Sequence, residues 1–159
     1  MKRADIETRV SDEHHLSLKV WLRLLACTNL IETEVRGKLR TEFDTTLPRF
    51  DLMAQLERHA GGLKMNELSQ RLMVTGGNVT GITDQLEAEG LVVRESDPAD
   101  RRAFTVKLTP AGRRAFARMA EAHEQWVVRL FSGLGAAEKD QVYRLLAKLK
   151  LSLEKEMKR

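Results

Sequence analysis

A single cysteine, Cys27, stands among 159 residues, so no intramolecular disulfide framework can form. That usage fits a reducing compartment, and a cytoplasmic location is expected. No apolar run approaches the roughly 20 residues needed to cross a bilayer. The opening stretch, MKRADIETRVSDEHH, lacks the apolar core of a signal peptide, and no membrane partner is expected. Histidine is scarce and badly placed for ligation. His14 and His15 are adjacent and point apart, while His59 and His123 have no partners at ligand spacing. Neither a metal site nor a cofactor is expected. No convergent nucleophile, base and orienting group can be assembled, which argues against an enzyme. Strong charge bias is missing too: 27 Lys+Arg against 23 Asp+Glu permits nucleic-acid binding without demanding it. Proline and glycine are few and concentrate in the middle third, so the ends read as helical and the centre as turn-rich.

What is present is helical periodicity. From Ser11 to Arg40 the only helix breaker is Gly37, and Trp21, Leu24, Leu25, Thr28, Ile31, Val35 and Leu39 recur at spacings of three and four. Pro48 opens a second, shorter helix to about His59, with Phe50, Met53 and Leu56 inward and Gly61-Gly62 ending it. MNELSQRLM predicts a short helix carrying Met65, Leu68 and Leu72 on one side. VTGGNVTGITDQLEAEG predicts another, capped by Thr75, with Val79, Ile82 and Leu86 inward and Gly90 as its stop. Thr109-Pro110 starts a further helix with Phe116, Met119, His123, Val127 and Leu130 on one face. Gly133 and Gly135 break it, and a last helix from about Ala136 turns Val142, Leu145, Leu146, Leu149 and Leu153 inward.

Between the fourth helix and Thr109 lies VVRESDPADRRAFTVKL. Phe104, Val106 and Leu108 alternate with Thr105 and Lys107, the period of a half-buried strand. Two strands flank a polar tip bearing Asp97, Pro98, Asp100, Arg101 and Arg102. Two helices followed by a hairpin make a winged helix-turn-helix, so the fold class is mainly α with a small β wing. The second helix of the pair would present its first residues, Thr75, Gly76, Gly77, Asn78 and Thr80, to a major groove. The glycines allow close backbone approach to a phosphate, Asn78 suits adenine, and Thr80 suits a thymine methyl or a phosphate. Capping and solvation are the plainer reading of Asn78 and Thr80.

LPRFDLMAQL, MNELSQRLMVTGGNVTGITDQLEAEGLVVR and DPADRRAFTVKLTPAG together resemble the MarR family of dimeric bacterial transcription regulators. The resemblance implies three regions: helical dimerisation regions at 1–46 and 113–159, flanking a DNA-binding module at 47–112. It implies that Arg102 enters the minor groove, Asp100 holds or orients it, and Arg101 sits beside it near the backbone. A surface ion pair with Asp97 or Asp100 is the plainer reading of these arginines. Arginine suits a narrow minor groove because its guanidinium is planar and weakly hydrated. The sequence departs from the family in having Gly81, Asp84 and Gln85 where basic residues are common. The module is about neutral, so phosphate affinity is expected from Arg71, Arg94, Lys64 and backbone amides.

The resemblance also implies a small-molecule effector bound between the dimer helices and the reading module. Trp21, Arg36, Arg40, Arg49, Phe50 and Met53 are the candidates, with the arginines as a cationic mouth and the rest as apolar lining. A solvated face or a DNA-backbone contact would equally explain the arginines, and a place in the core the apolar residues. An anionic aromatic ligand, an aromatic acyl-CoA among them, would suit such a site. Cys27 reads better as a small buried apolar residue than as a redox thiol. The expected function is a homodimeric repressor that binds a pseudo-palindromic operator in double-stranded DNA and is released by a small ligand. A Cys27 redox sensor and a helical interaction protein without DNA are the alternatives.

Overall fold

The structure, a computed structural model, describes residues 15–72 and 76–158. Helix α1 spans Leu16–Phe43 and stops where Asp44 takes a left-handed conformation (φ 49°), its N–H returning to the Arg40 carbonyl at 3.1 Å. Helix α2, Leu47–Arg58, starts on Thr46, whose hydroxyl accepts the Arg49 N–H, with Pro48 in its first turn. Strand β1 (Leu63–Lys64) leads directly into α3 (Met65–Leu72), and α4 (Gly76–Ala88) follows. Strands β2 (Val92–Asp97) and β3 (Asp100–Leu108) form the hairpin, and α5 (Pro110–Leu130) and α6 (Ala136–Met157) complete the chain.

The core gathers around α2, which touches α1, α3, α4 and β3. Leu52, Met53 and Leu56 of α2 are buried, with Leu68 of α3, Val79 and Leu86 of α4, and Val92, Val106 and Leu108 of the sheet. Phe50 closes this core against the ring of Phe116, 5.4 Å away, and that of His123, 4.9 Å away. Thr83 is fully buried on α4, and its hydroxyl donates to the Val79 carbonyl at 2.7 Å, so this polar atom is not stranded. The sheet is antiparallel in the order β1-β3-β2. Leu63 pairs with Val106, and Val92 with Leu108. Strand β1 was not expected, because two residues are too few to display a period of two.

One junction locks the module. Gly90 (φ 73°) ends the α4 region and lets Leu91 N–H return to the Leu86 carbonyl at 2.9 Å. The Thr109 hydroxyl donates to the Gly90 carbonyl at 2.6 Å and accepts the Gly112 N–H at 2.9 Å. A Cβ on Gly112 would lie 1.9 Å from the Leu91 carbonyl oxygen, so only glycine lets α5 start this close to the end of the helix-turn-helix.

Two compact units are distinguished, one up to Glu124 and one from Gln125 onward. In the first, α1 buries Val35 and Leu39, while Trp21 and Leu25 are exposed, against the expectation that Trp21 lies in a core. In the second, Trp126 is buried. No residue of α6 is buried. Val142, Leu145, Leu146, Leu149 and Leu153, expected inward, are 38–59% exposed. Their periodicity is real, but among the described residues this face stays exposed.

Candidate nucleic-acid interface

Helix α4 is held from below and open above. Val79, Thr83 and Leu86 are buried, while Asn78, Thr80, Gly81, Asp84 and Gln85 are exposed. Gly76 and Gly77 are its first two residues. Thr75, expected as its cap, lies outside the described residues.

The wing turns through Pro98-Ala99, with Asp97 and Asp100 as the opposed ends of the strands. Proline after aspartate favours such a turn. The Asp97 carboxylate accepts the Ala99 N–H at 2.9 Å, and the Asp100 carboxylate accepts the Arg102 N–H at 3.0 Å. Asp100 therefore acts on Arg102 through its backbone. The Arg102 side chain is exposed and has no ion pair among the described residues. Both wing carboxylates shape the tip and leave this guanidinium projecting. Arg101 belongs to β3 at the same tip.

The acidic residues of the module resolve differently from their count. Arg94 on β2 sits between Asp84 and Glu87 of α4 and bonds both carboxylates. Arg49 of α2 bonds Glu89, just beyond the end of α4. Lys107 bonds Glu95 across the hairpin at 2.8 Å. Burial alone would lower the Arg94 pKa, but its bonds to Asp84 and Glu87 outweigh that and raise it, so the clamp stays charged. Arg94 was expected among the phosphate-binding cations. In the structure its guanidinium ties α4 to the wing, held by carboxylates three residues apart on one helix face. Lys64, at the sheet edge, and Arg71, at the end of α3, are exposed and have no ion pair among the described residues. Asp84, Glu87, Glu89 and Glu95 are thus each engaged in an ion pair, while Lys64, Arg71 and Arg102 have none among the described residues.

The candidate ligand residues separate into two groups. Arg36, Arg40 and Arg49 line one cleft of about 530 Å³ with the start of α2 and the exposed side of α4. Phe50 and Met53 do not line it; they are 6% and 1% exposed in the core, and Trp21 lies about four turns earlier along α1. Cys27 is exposed, which overturns its reading as a buried apolar residue. It falls on a side of α1 that this unit leaves uncovered. Asp51 is exposed over much of its surface, yet desolvation of its carboxyl and the nearby Glu32 raise its pKa, against the opposing pull of His123 and Arg36. Among the described residues no cluster of three metal-ligating side chains forms, and no helix is long and apolar enough to cross a membrane.

A reading helix backed by a packed core, with a wing whose arginine projects beside it, defines a winged helix-turn-helix protein. The MarR family model matches residues 43–103. The chain is similar to a MarR family transcriptional regulator of Silicibacter pomeroyi, with 32% identity and a TM-score of 0.75 over 91% of this chain and 99% of that one. It is 39% identical to the HTH-type transcriptional regulator YkoM of Bacillus subtilis over 88 residues, 55% of this chain and 57% of that one. It is also similar to BpsR of Bordetella bronchiseptica, whose structure describes regulation of DNA binding by 6-hydroxynicotinic acid, with 26% identity and a TM-score of 0.72 over 83% of this chain and 98% of that one. The chain belongs to the MarR family. It is a DNA-binding transcriptional regulator and not an enzyme.

Proposed function

We propose that the protein acts as a homodimeric repressor, released from a pseudo-palindromic operator by a small anionic aromatic ligand, with an aromatic acyl-CoA as one form of it. Residues 47–112 would read the operator. The regions 1–46 and 113–159 would join the subunits. The observation that carries the reading is the exposed Arg102 guanidinium, without an ion pair among the described residues, on a wing whose two carboxylates bond backbone N–H groups. Arg102 would enter the minor groove, with Arg101 beside it. Asn78 and Thr80 would meet base edges, and Thr75, Gly76 and Gly77 would approach the backbone. Lys64 and Arg71 would neutralise phosphates. Exposed apolar side chains along α1 and α6, Trp21 and Leu149 among them, support a second copy as the partner.

Release by ligand needs only differential affinity. A ligand that binds the DNA-free dimer better than the bound one shifts the population away from half-sites about 34 Å apart. The aromatic anion is supported by the arginine-lined cleft and by the 6-hydroxynicotinic acid response named for BpsR. The test is retention on duplex DNA: Arg102→Ala is expected to lose about 1–3 kcal/mol of specific affinity with its fold intact, and unchanged binding would sink the reading. A thermal-shift screen with aromatic carboxylates and their coenzyme A thioesters tests the ligand. A thiol response is the second reading, because Cys27 is exposed. Cys27→Ser would abolish an oxidant response and leave a ligand response in place.

A further inference from the structure

Helix α4 shows three different strips to solvent. Val79, Thr83 and Leu86 are buried, and the crest opposite them carries Gly81 and Ala88, both exposed. A Cβ on Gly81 would meet nothing within 4 Å, so the crest is low and the helix backbone can come close to whatever it faces. On one flank of the crest stand Asp84 and Glu87, both bonded to Arg94 of the wing. On the other flank stand Asn78 and Gln85, both exposed. They are seven residues apart, close to two turns, so they share one line along the helix and are separated by about 10 Å. The Gln85 carboxamide makes no hydrogen bond among the described residues.

What such a helix can read follows from the groups it has and lacks. Guanine presents two acceptors, O6 and N7, to the major groove and is matched best by Arg or Lys. Neither occurs in Gly76–Ala88. Cytosine presents an amine donor, matched by a carboxylate, and both carboxylates of α4 are already held by Arg94. Adenine presents a donor, N6, beside an acceptor, N7. A carboxamide has one acceptor oxygen and an NH2 donor, so it bonds both at once. We propose that Gln85 is a second base-reading residue alongside Asn78, and that the two carboxamides select adenines about three base-pair steps apart in each half-site, at about 3.4 Å per step. The inference rests on α4 entering a major groove, as proposed above, and names the sequence it selects there. It also gives the neutral outer face of α4 a consequence: a G·C pair at either position loses the bidentate contact and gains no other.

The experiment is selection from a random duplex pool by the full chain, read by sequencing. The wild type is expected to enrich A·T at two positions of each half-site about three steps apart. Gln85→Ala is expected to lose about tenfold in preference at one of them and to leave the other unchanged, and Asn78→Ala to do the converse. Gln85→Arg is expected to turn the first position to guanine. The melting temperature of Gln85→Ala is expected to stay at the wild-type value, because the side chain is exposed. Enrichment of G·C at both positions by the wild type would overturn the inference. So would an unchanged pattern in Gln85→Ala, which would leave Gln85 to the arginine-lined cleft that it also borders. A loss of affinity equal for all sequences would overturn it too, since that is the mark of a phosphate contact. In each of these cases DNA binding itself stands. Failure of the wild type to enrich any duplex would instead sink the regulator reading, and this inference with it.

Discussion

Replacing Arg94 by alanine separates a clamp from a phosphate-binding group, because the two roles move different observables. The guanidinium is 21% exposed on its side chain and bonds two carboxylates of one helix, Asp84 and Glu87. Surface pairs contribute about 0.2–1 kcal/mol each, so two partly buried ones contribute about 1–2 kcal/mol together. Their loss also leaves like charges three residues apart on α4, at a cost of about 0.3 kcal/mol. For a chain of this size each kcal/mol moves Tm by about 2–4 °C, so a fall of about 3–9 °C is expected. With the wing no longer held to the reading helix, specific affinity is expected to drop about tenfold, or about 1.4 kcal/mol. The salt slope is the decisive reading. If Arg94 instead neutralised one phosphate in each of two subunits, its removal would lower the slope by about 1.8, at about 0.9 per phosphate. The clamp touches no phosphate, so the slope is expected to stay at the wild-type value. Arg94→Lys, a point charge without a fork, is expected to fall between the two in stability. A slope reduced by about two units with Tm unchanged would refute the clamp.

Gly112→Ala places a Cβ 1.9 Å from the Leu91 carbonyl oxygen and is expected to cost about 2 kcal/mol or more in a thermal melt; Gly81→Ala, with nothing within 4 Å, is expected to leave thermal stability equal or raised by about 0.5–1 kcal/mol. Leu149→Glu on α6, whose apolar face is exposed among the described residues, is expected to yield monomers in sedimentation and to weaken DNA binding, and an intact dimer would count against that face. Asp51 has a folded-state pKa above its unfolded value, so the native state holds the extra proton between the two and this carboxyl makes the fold less stable as pH rises through that interval. Asp51→Asn is therefore expected to be the more stable protein at pH 7 in urea melts and to lose that advantage at acid pH. A destabilised Asp51→Asn at pH 7 would show that the pairing with His123 and Arg36 outweighs the desolvation.

The helices were legible because their signals are local. Pro48 and Thr109-Pro110 mark helix starts within a residue or two, and Gly90 carries its own positive φ. Val106 and Leu108 declared a strand by alternation, and both are buried. What failed was direction. A period of 3.6 shows that Val142, Leu146, Leu149 and Leu153 share a face, but it does not say whether that face meets its own chain. On α6 it does not. Trp21 and Cys27 on α1 failed in the same way, because burial was inferred from apolar spacing alone. The two-residue β1 carried no period at all, and it became visible only through its pairing with Val106 and Thr105.

Charge was the harder quantity to read. Summed along the sequence, the acids of the reading module cancel its bases, and a sum near zero argues for weak attraction to DNA. The sum discards direction, and direction is what the fold supplies. Asp84 and Glu87 meet Arg94, Glu89 meets Arg49, and Glu95 meets Lys107, all within the module. Asp97 and Asp100 take the N–H groups of the wing turn. The paired carboxylates join α4 to β2, the end of α4 to α2, and β2 to β3. The two in the turn fix the tip of that wing. The cations left over, Lys64, Arg71 and Arg102, come from three different elements and remain exposed. A neutral module can therefore display cations without an ion pair, because several of its carboxylates are engaged in pairs and turns that fix its shape.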